Sequence, residues 1–157
     1  MHNEALTIAS KLIKESEGLR LRAYQCPAGK WTVGYGQTGK DVVKGTVWTE
    51  PHADMRFALT LESRLTELLK ASPTLASEKP ERLAAILDFV YNFSVPKYCE
   101  STLKLRVDQG NWVSAATEIK RWNKTTVNGV KVIEPGLVTR RAKEADLLSP
   151  PAPRIPT

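Results

Sequence analysis

Cysteine is scarce in this chain of 157 residues. Cys26 and Cys99 are the only two, too few for a disulfide framework and not spaced as a C-x-x-C metal or redox pair. A reducing compartment is therefore the simpler expectation. Long apolar runs are missing too. Nowhere does the chain approach the roughly 18 consecutive apolar residues of a membrane span, and Met1 to Lys14 has no signal-peptide stretch. Synthesis in the cytoplasm is expected, with no stable membrane insertion and any export supplied by another protein. Lys and Arg outnumber Asp and Glu by 23 to 17, for a formal charge of +6, which suits an anionic surface or polyanion. The cations are spread along the chain, however, and a basic stripe with interleaved aromatics is absent. Nucleic acid is therefore not an expected partner.

With 41% apolar residues, the chain can bury the core of one domain without staples. From Glu4 to Glu17, Ala5, Ile8, Ala9, Leu12 and Ile13 recur at helical spacing, and Gly18 supplies a stop. Between Leu21 and Gly39, Tyr24, Trp31, Val33 and Tyr35 alternate with Pro27 and four glycines, the pattern of short strands and tight turns. Thr49 then caps a long helix reaching Ser72-Pro73. Pro80 opens another, whose Leu83, Ile86, Leu87, Val90 and Tyr91 suit a central core position. Shorter helices are predicted over 102–108 and 112–122, and a last one over 138–147. Asn128-Gly129 predicts a hairpin between residues 125–127 and 130–132, because a type I′ turn needs positive φ at both central positions. The whole reads as α+β, a small N-terminal β-lobe beside a larger helical lobe, with one domain over residues 1–148. The Pro-rich stretch 149–157 holds neither helix nor strand and reads as a tail. A monomer is the default.

The chemistry concentrates around Glu17. A helix end is rigid, and a hairpin beyond it can fold back so that groups on the two share a cleft. Glycoside hydrolysis needs such a layout, with one carboxylic acid to protonate the leaving oxygen and a second group to activate water or attack the sugar. Glu17 is followed after eight residues by Cys26, and after five more by Thr32. The run Glu17-Gly18-Leu19-Arg20-Leu21-Arg22-Ala23-Tyr24-Gln25-Cys26, with Trp31-Thr32-Val33-Gly34-Tyr35-Gly36, resembles the phage lysozyme (endolysin) family, glycoside hydrolase family 24. That family's signature is Glu, eight residues, Asp or Cys, five residues, Thr.

The resemblance implies a lysozyme-like fold with Glu17 as catalytic acid. It makes Cys26 the base or nucleophile and Thr32 the residue that orients the attacking water. A free thiol titrates at about 8.5, so Cys26 acts as a base only where neighbours such as Lys30 or Arg22 favour the thiolate. Read from the residues alone, Cys26 also fits a small core position and Thr32 a β-branched strand position. Glu15, which lacks a following Gly, is left on the surface.

Further along, Asp88-Phe-Val-Tyr-Asn92-Phe-Ser94 is similar to the family's core-helix stretch, which makes Asn92 a candidate sugar contact beside Tyr24. Arg121-Trp122 and the run from Gly136 to Ala142 resemble its closing segment. By that match Arg141 reaches back to Glu17 and Trp122 stacks on a sugar ring. Gln37 stands where relatives often carry histidine. Spanning Ile8 to Leu147, the resemblance implies hydrolysis of the β-1,4 bond between N-acetylmuramic acid and N-acetylglucosamine in bacterial peptidoglycan. It further implies host cell lysis without metal or cofactor, and a holin to release the enzyme from the host cytoplasm. The competing reading is a wall-binding module in which Cys26 has ended catalysis.

Overall fold

Helix starts in this chain follow its caps and prolines. The computed structural model describes residues 2–149 and Pro156, so nearly all of the predicted tail lies outside the described residues. Helix α1 (Asn3–Glu17) ends at Gly18, whose positive φ of 69° and amide bond to the Lys14 carbonyl stop the helix at the glutamate. Strands β1 (Arg20–Gln25) and β2 (Trp31–Gly34) pair antiparallel, with Tyr24 opposite Thr32. Residues 46–48 add a third edge: the Ala23 amide donates to Thr46 O and the Trp48 amide to Leu21 O, both at 2.8 Å.

Helix α2 (Glu50–Ala71) begins where Thr49 Oγ1 accepts from the His52 amide. It leads through a 3₁₀ turn (Pro73–Ser77) into α3 (Pro80–Asn92). All eight residues from Leu83 to Val90 are buried, because α1, α2 and α7 surround α3. A helix apolar on nearly every side is stable only at such a centre. The short helices α4 (Val95–Cys99), α5 (Thr102–Asp108) and α6 (Trp112–Lys120) follow. The hairpin of β3 (Lys124–Val127) and β4 (Val130–Ile133) turns at Asn128-Gly129, where both residues have positive φ. Helix α7 (Pro135–Leu148) closes the fold against α3 and α6.

Three boundaries depart from the sequence reading. Helix α7 starts at Pro135 rather than 138, because Glu134 accepts from the amides of Gly136 and Leu137. Helix α6 stops at Lys120, where the Arg121 and Trp122 amides turn back to Glu118 and Ile119. Helix α4, five residues long, is too short to show a helical period. No helix among the described residues is long and apolar enough to cross a membrane.

Candidate active site

A cleft of about 700 Å³ opens between the β-lobe and the helices, and Glu17, Tyr24, Cys26, Thr32 and Asn92 all line it. Glu17 reaches it from the last turn of α1, Cys26 and Thr32 from the β1–β2 hairpin, and Asn92 from the end of α3. The hairpin holds its shape through bonds of its own: Cys26 N to Lys30 O at 2.9 Å, Gly29 N to Cys26 O at 2.7 Å, and Thr32 Oγ1 to Lys30 O at 3.0 Å. Beyond β2, Val33 and Gln37 exchange both backbone bonds, making a tight turn that lays Gly36 on the glutamate. A Cβ on Gly36 would lie 2.6 Å from Glu17 Oε2, and its φ is +73°, so both space and backbone require glycine there.

The Glu17 side chain is only 20% exposed, and its Oε1 accepts from Arg140 Nη1 at 2.8 Å. Arg140 is itself held from behind by Asp88, with Nε 3.0 Å from Oδ2 and Nη2 2.8 Å from Oδ1. Burial works against the Arg140 charge, but the hydrogen bond and charge of Asp88, with those of Glu17, outweigh it and raise the guanidinium above its ordinary value. Tyr91 and Tyr24 also line the cleft. Burial first, and the Glu17 charge second, push both phenols upward, so they stay neutral hydrogen-bonding groups beside the acid. Among the described residues, no group of three His, Cys, Asp or Glu side chains is arranged to hold a metal.

Residues 14–144 match the family model described as phage lysozyme. The chain belongs to the phage lysozyme family. An endolysin of Acyrthosiphon pisum secondary endosymbiont phage 1 is 37% identical, covering 87% of this chain and 91% of the relative. A SAR-endolysin of Bacteriophage PS119 is 34% identical, covering 91% and 86%. Among solved structures, the endolysin from Escherichia coli O157:H7 phage FAHEc1 superposes with a TM-score of 0.79 at 32% identity, over 90% of each chain. The muramidase domain of SpmX from Asticaccaulis excentricus gives 0.78 at 28% identity, over 91% and 95%. The α+β lysozyme fold expected from the sequence is therefore the fold of this chain, and as a phage lysozyme it is a glycoside hydrolase of endolysin type.

Two sequence expectations for this lysozyme need correction. Arg141 does not reach Glu17; Arg140 does. Arg141 Nη2 instead donates to Glu144 Oε1 at 2.6 Å, and its guanidinium lies 5.2 and 4.9 Å from the rings of Phe89 and Phe93. The reason is helical phase. Arg141 shares a face with Ala145 and Leu148, four and seven residues on and both buried, whereas Arg140 lies three residues after Leu137, at the cleft. Counting back from the apolar face of α7 would have found it.

Trp122 likewise does not line the cleft. It packs edge-on against Phe89 and Phe93, with ring centroids 5.3 and 5.2 Å away. It lies three residues beyond the buried Ile119, so it continues the core face of α6, where aromatic burial stabilises more than an exposed stack. Gln37 is a neutral brace. Its Nε2 donates to Tyr91 OH at 2.7 Å and its Oε1 accepts from Thr60 Oγ1 at 3.0 Å, which ties the β-lobe to α2 and α3. Glu15, half-exposed, stands at the cleft rim, 3.9 Å from Lys143 Nζ.

Proposed function

We propose that this phage lysozyme hydrolyses the β-1,4 bond between N-acetylmuramic acid and N-acetylglucosamine in bacterial peptidoglycan, with Glu17 protonating the leaving oxygen. The observation that carries this reading is the single cleft shared by a half-buried glutamate, held by Arg140, with Cys26 and Thr32. An acid used in this way needs a fixed orientation and limited solvent, and the Arg140–Asp88 pair with the Gly36 turn supports both.

Thr32 spends its hydroxyl proton on the Lys30 carbonyl, which leaves its oxygen lone pairs to accept from a water. That water then presents its second proton to the Cys26 sulfur, which acts as base, or Cys26 attacks the sugar carbon directly. Asn92 and Tyr24 contact the sugars. Asn92 Oδ1 is buried without a partner among the described residues, and an N-acetyl N–H or a ring hydroxyl would satisfy it. No cofactor enters this chemistry. We read residues 1–148 as one catalytic domain, monomeric, with 149–157 as a tail.

Purified wall digested by the enzyme should release fragments with muramic acid at the reducing end. Cys26→Ser should lower that rate by about 100-fold, while Cys26→Asp, which supplies a carboxylate, should restore much of it. A serine variant as fast as the native enzyme would remove Cys26 from the mechanism. For delivery, we propose accumulation in the host cytoplasm and release through a holin-type pore. Cells expressing the protein without a pore partner should stay intact until a permeabilising agent is added, and lysis without one would overturn this route.

A further inference from the structure

The β3–β4 hairpin takes no part in the cleft chemistry, and no other element among the described residues covers it. Its register places Thr125, Val127, Val130 and Val132 on one face, and Lys124, Thr126, Lys131 and Ile133 on the other. Val127, Val130 and Val132 are 46, 61 and 40% exposed, and Ile133 is 63% exposed. Among the described residues, neither strand packs appreciably on any element but its partner. A lone two-stranded ribbon is at best marginally stable in water, so this apolar face is one the fold itself does not use.

Charge distinguishes the segment further. From Ile119 to Ile133 the sequence carries Lys120, Arg121, Lys124 and Lys131 and no Asp or Glu. All four cations are exposed, and among the described residues only Arg121 leans on a carboxylate, Glu118 at 3.7 Å. An aliphatic face backed by a cationic one is the pattern of elements that lie in the plane of a bilayer interface. A wall glycan would answer the cations but leave the valines in water. A second copy would cover the valines but leave the lysine face unanswered. A bilayer with anionic headgroups satisfies both faces, because lysine stems are long enough to carry their charge to phosphates around the ribbon.

We propose that the β3–β4 hairpin is a peripheral docking ribbon for membranes containing anionic phospholipid, seating Val127, Val130 and Val132 in the interface with Lys124 and Lys131 among the headgroups. Strand β4 leads directly into Glu134 and Leu137 of the cleft wall, so docking holds the cleft beside the bilayer surface while binding stays reversible.

Sedimentation of the full chain with phosphatidylglycerol–phosphatidylcholine vesicles, against pure phosphatidylcholine vesicles, tests this. The protein should sediment with the mixed vesicles, much less with the pure ones, and less as salt rises. Lys124→Gln with Lys131→Gln should reduce partitioning about 25-fold, from roughly fivefold per cation. Val127→Thr with Val130→Thr should weaken it as well. Both double variants should digest lipid-free wall at the native rate. Equal sedimentation with both vesicle types, or undiminished binding by both variants, would overturn the proposal. Loss of activity on lipid-free wall would instead make the hairpin a wall contact.

Discussion

Glu17→Gln is expected to slow release of muramic reducing ends by about 100- to 10,000-fold, the usual worth of a positioned general acid, without loosening the fold. Glutamine keeps the length of the side chain and an oxygen to accept from Arg140 Nη1, so the hydrogen bond at 2.8 Å persists in neutral form. The amide has no proton to give to the leaving oxygen, and that alone accounts for the loss. Glu15→Gln is the control, because Glu15 lines the same cleft two residues earlier. With half its side chain exposed and only a long contact to Lys143, it has neither the burial nor the clamp of an acid catalyst. Native activity in Glu17→Gln together with a collapse in Glu15→Gln would transfer the role to Glu15. An unchanged thermal midpoint in both variants would show that chemistry, rather than folding, was measured.

The local signals that located Glu17 are of the kind a sequence carries well. A helix stop at Gly18, glycine-punctuated strands and an Asn-Gly turn each depend on a few neighbouring residues, and the structure places all three where they were expected. Long-range partners are another matter. Asp88, two adjacent arginines and Glu144 lie on two helices, and only their packing decides which arginine faces the cleft. The helical phase of α7 was visible in Ala145 and Leu148, but the last helix was expected to begin three residues late, without its Glu134 cap, and the family match pointed to the neighbouring residue. Trp122 was misplaced for a similar reason: nothing local says that Phe89 and Phe93 wait across the interface. Gly36 was legible as a turn residue, but its contact with Glu17 exists only once the β-lobe has folded back.

Behind the catalytic acid, Asp88→Ala is expected to cost about 3–5 kcal/mol of stability, because it strands two buried arginines. That is a large share of the roughly 5–15 kcal/mol that holds a domain folded. Asp88 is fully buried, makes two-pronged contact with Arg140 and lies 3.9 Å from Arg141 Nη2. Glu144, also buried, looks at first like a second counter-ion, since its Oε1 accepts from Arg141. Its Oε2, however, finds no hydrogen-bond partner among the described residues. Burial raises the Glu144 carboxyl well above its ordinary 4.5, and the neighbouring Asp88 carboxyl pushes the same way against Arg141.

The folded chain therefore holds the Glu144 proton to a higher pH than the unfolded chain does. The sign of the pH dependence follows. Below about 4.5 the folded and unfolded chains both hold this proton; above it only the folded chain does, so stability falls by roughly 1 kcal/mol per pH unit until the folded value is reached. Glu144→Gln cannot ionise in either state. Its stability in urea, relative to the native chain, should rise as the pH climbs above about 4.5. A deficit of constant size across that range would instead make Glu144 an anion that Arg141 depends on, and Asp88→Ala would then be milder, because a second carboxylate would remain to hold the pair.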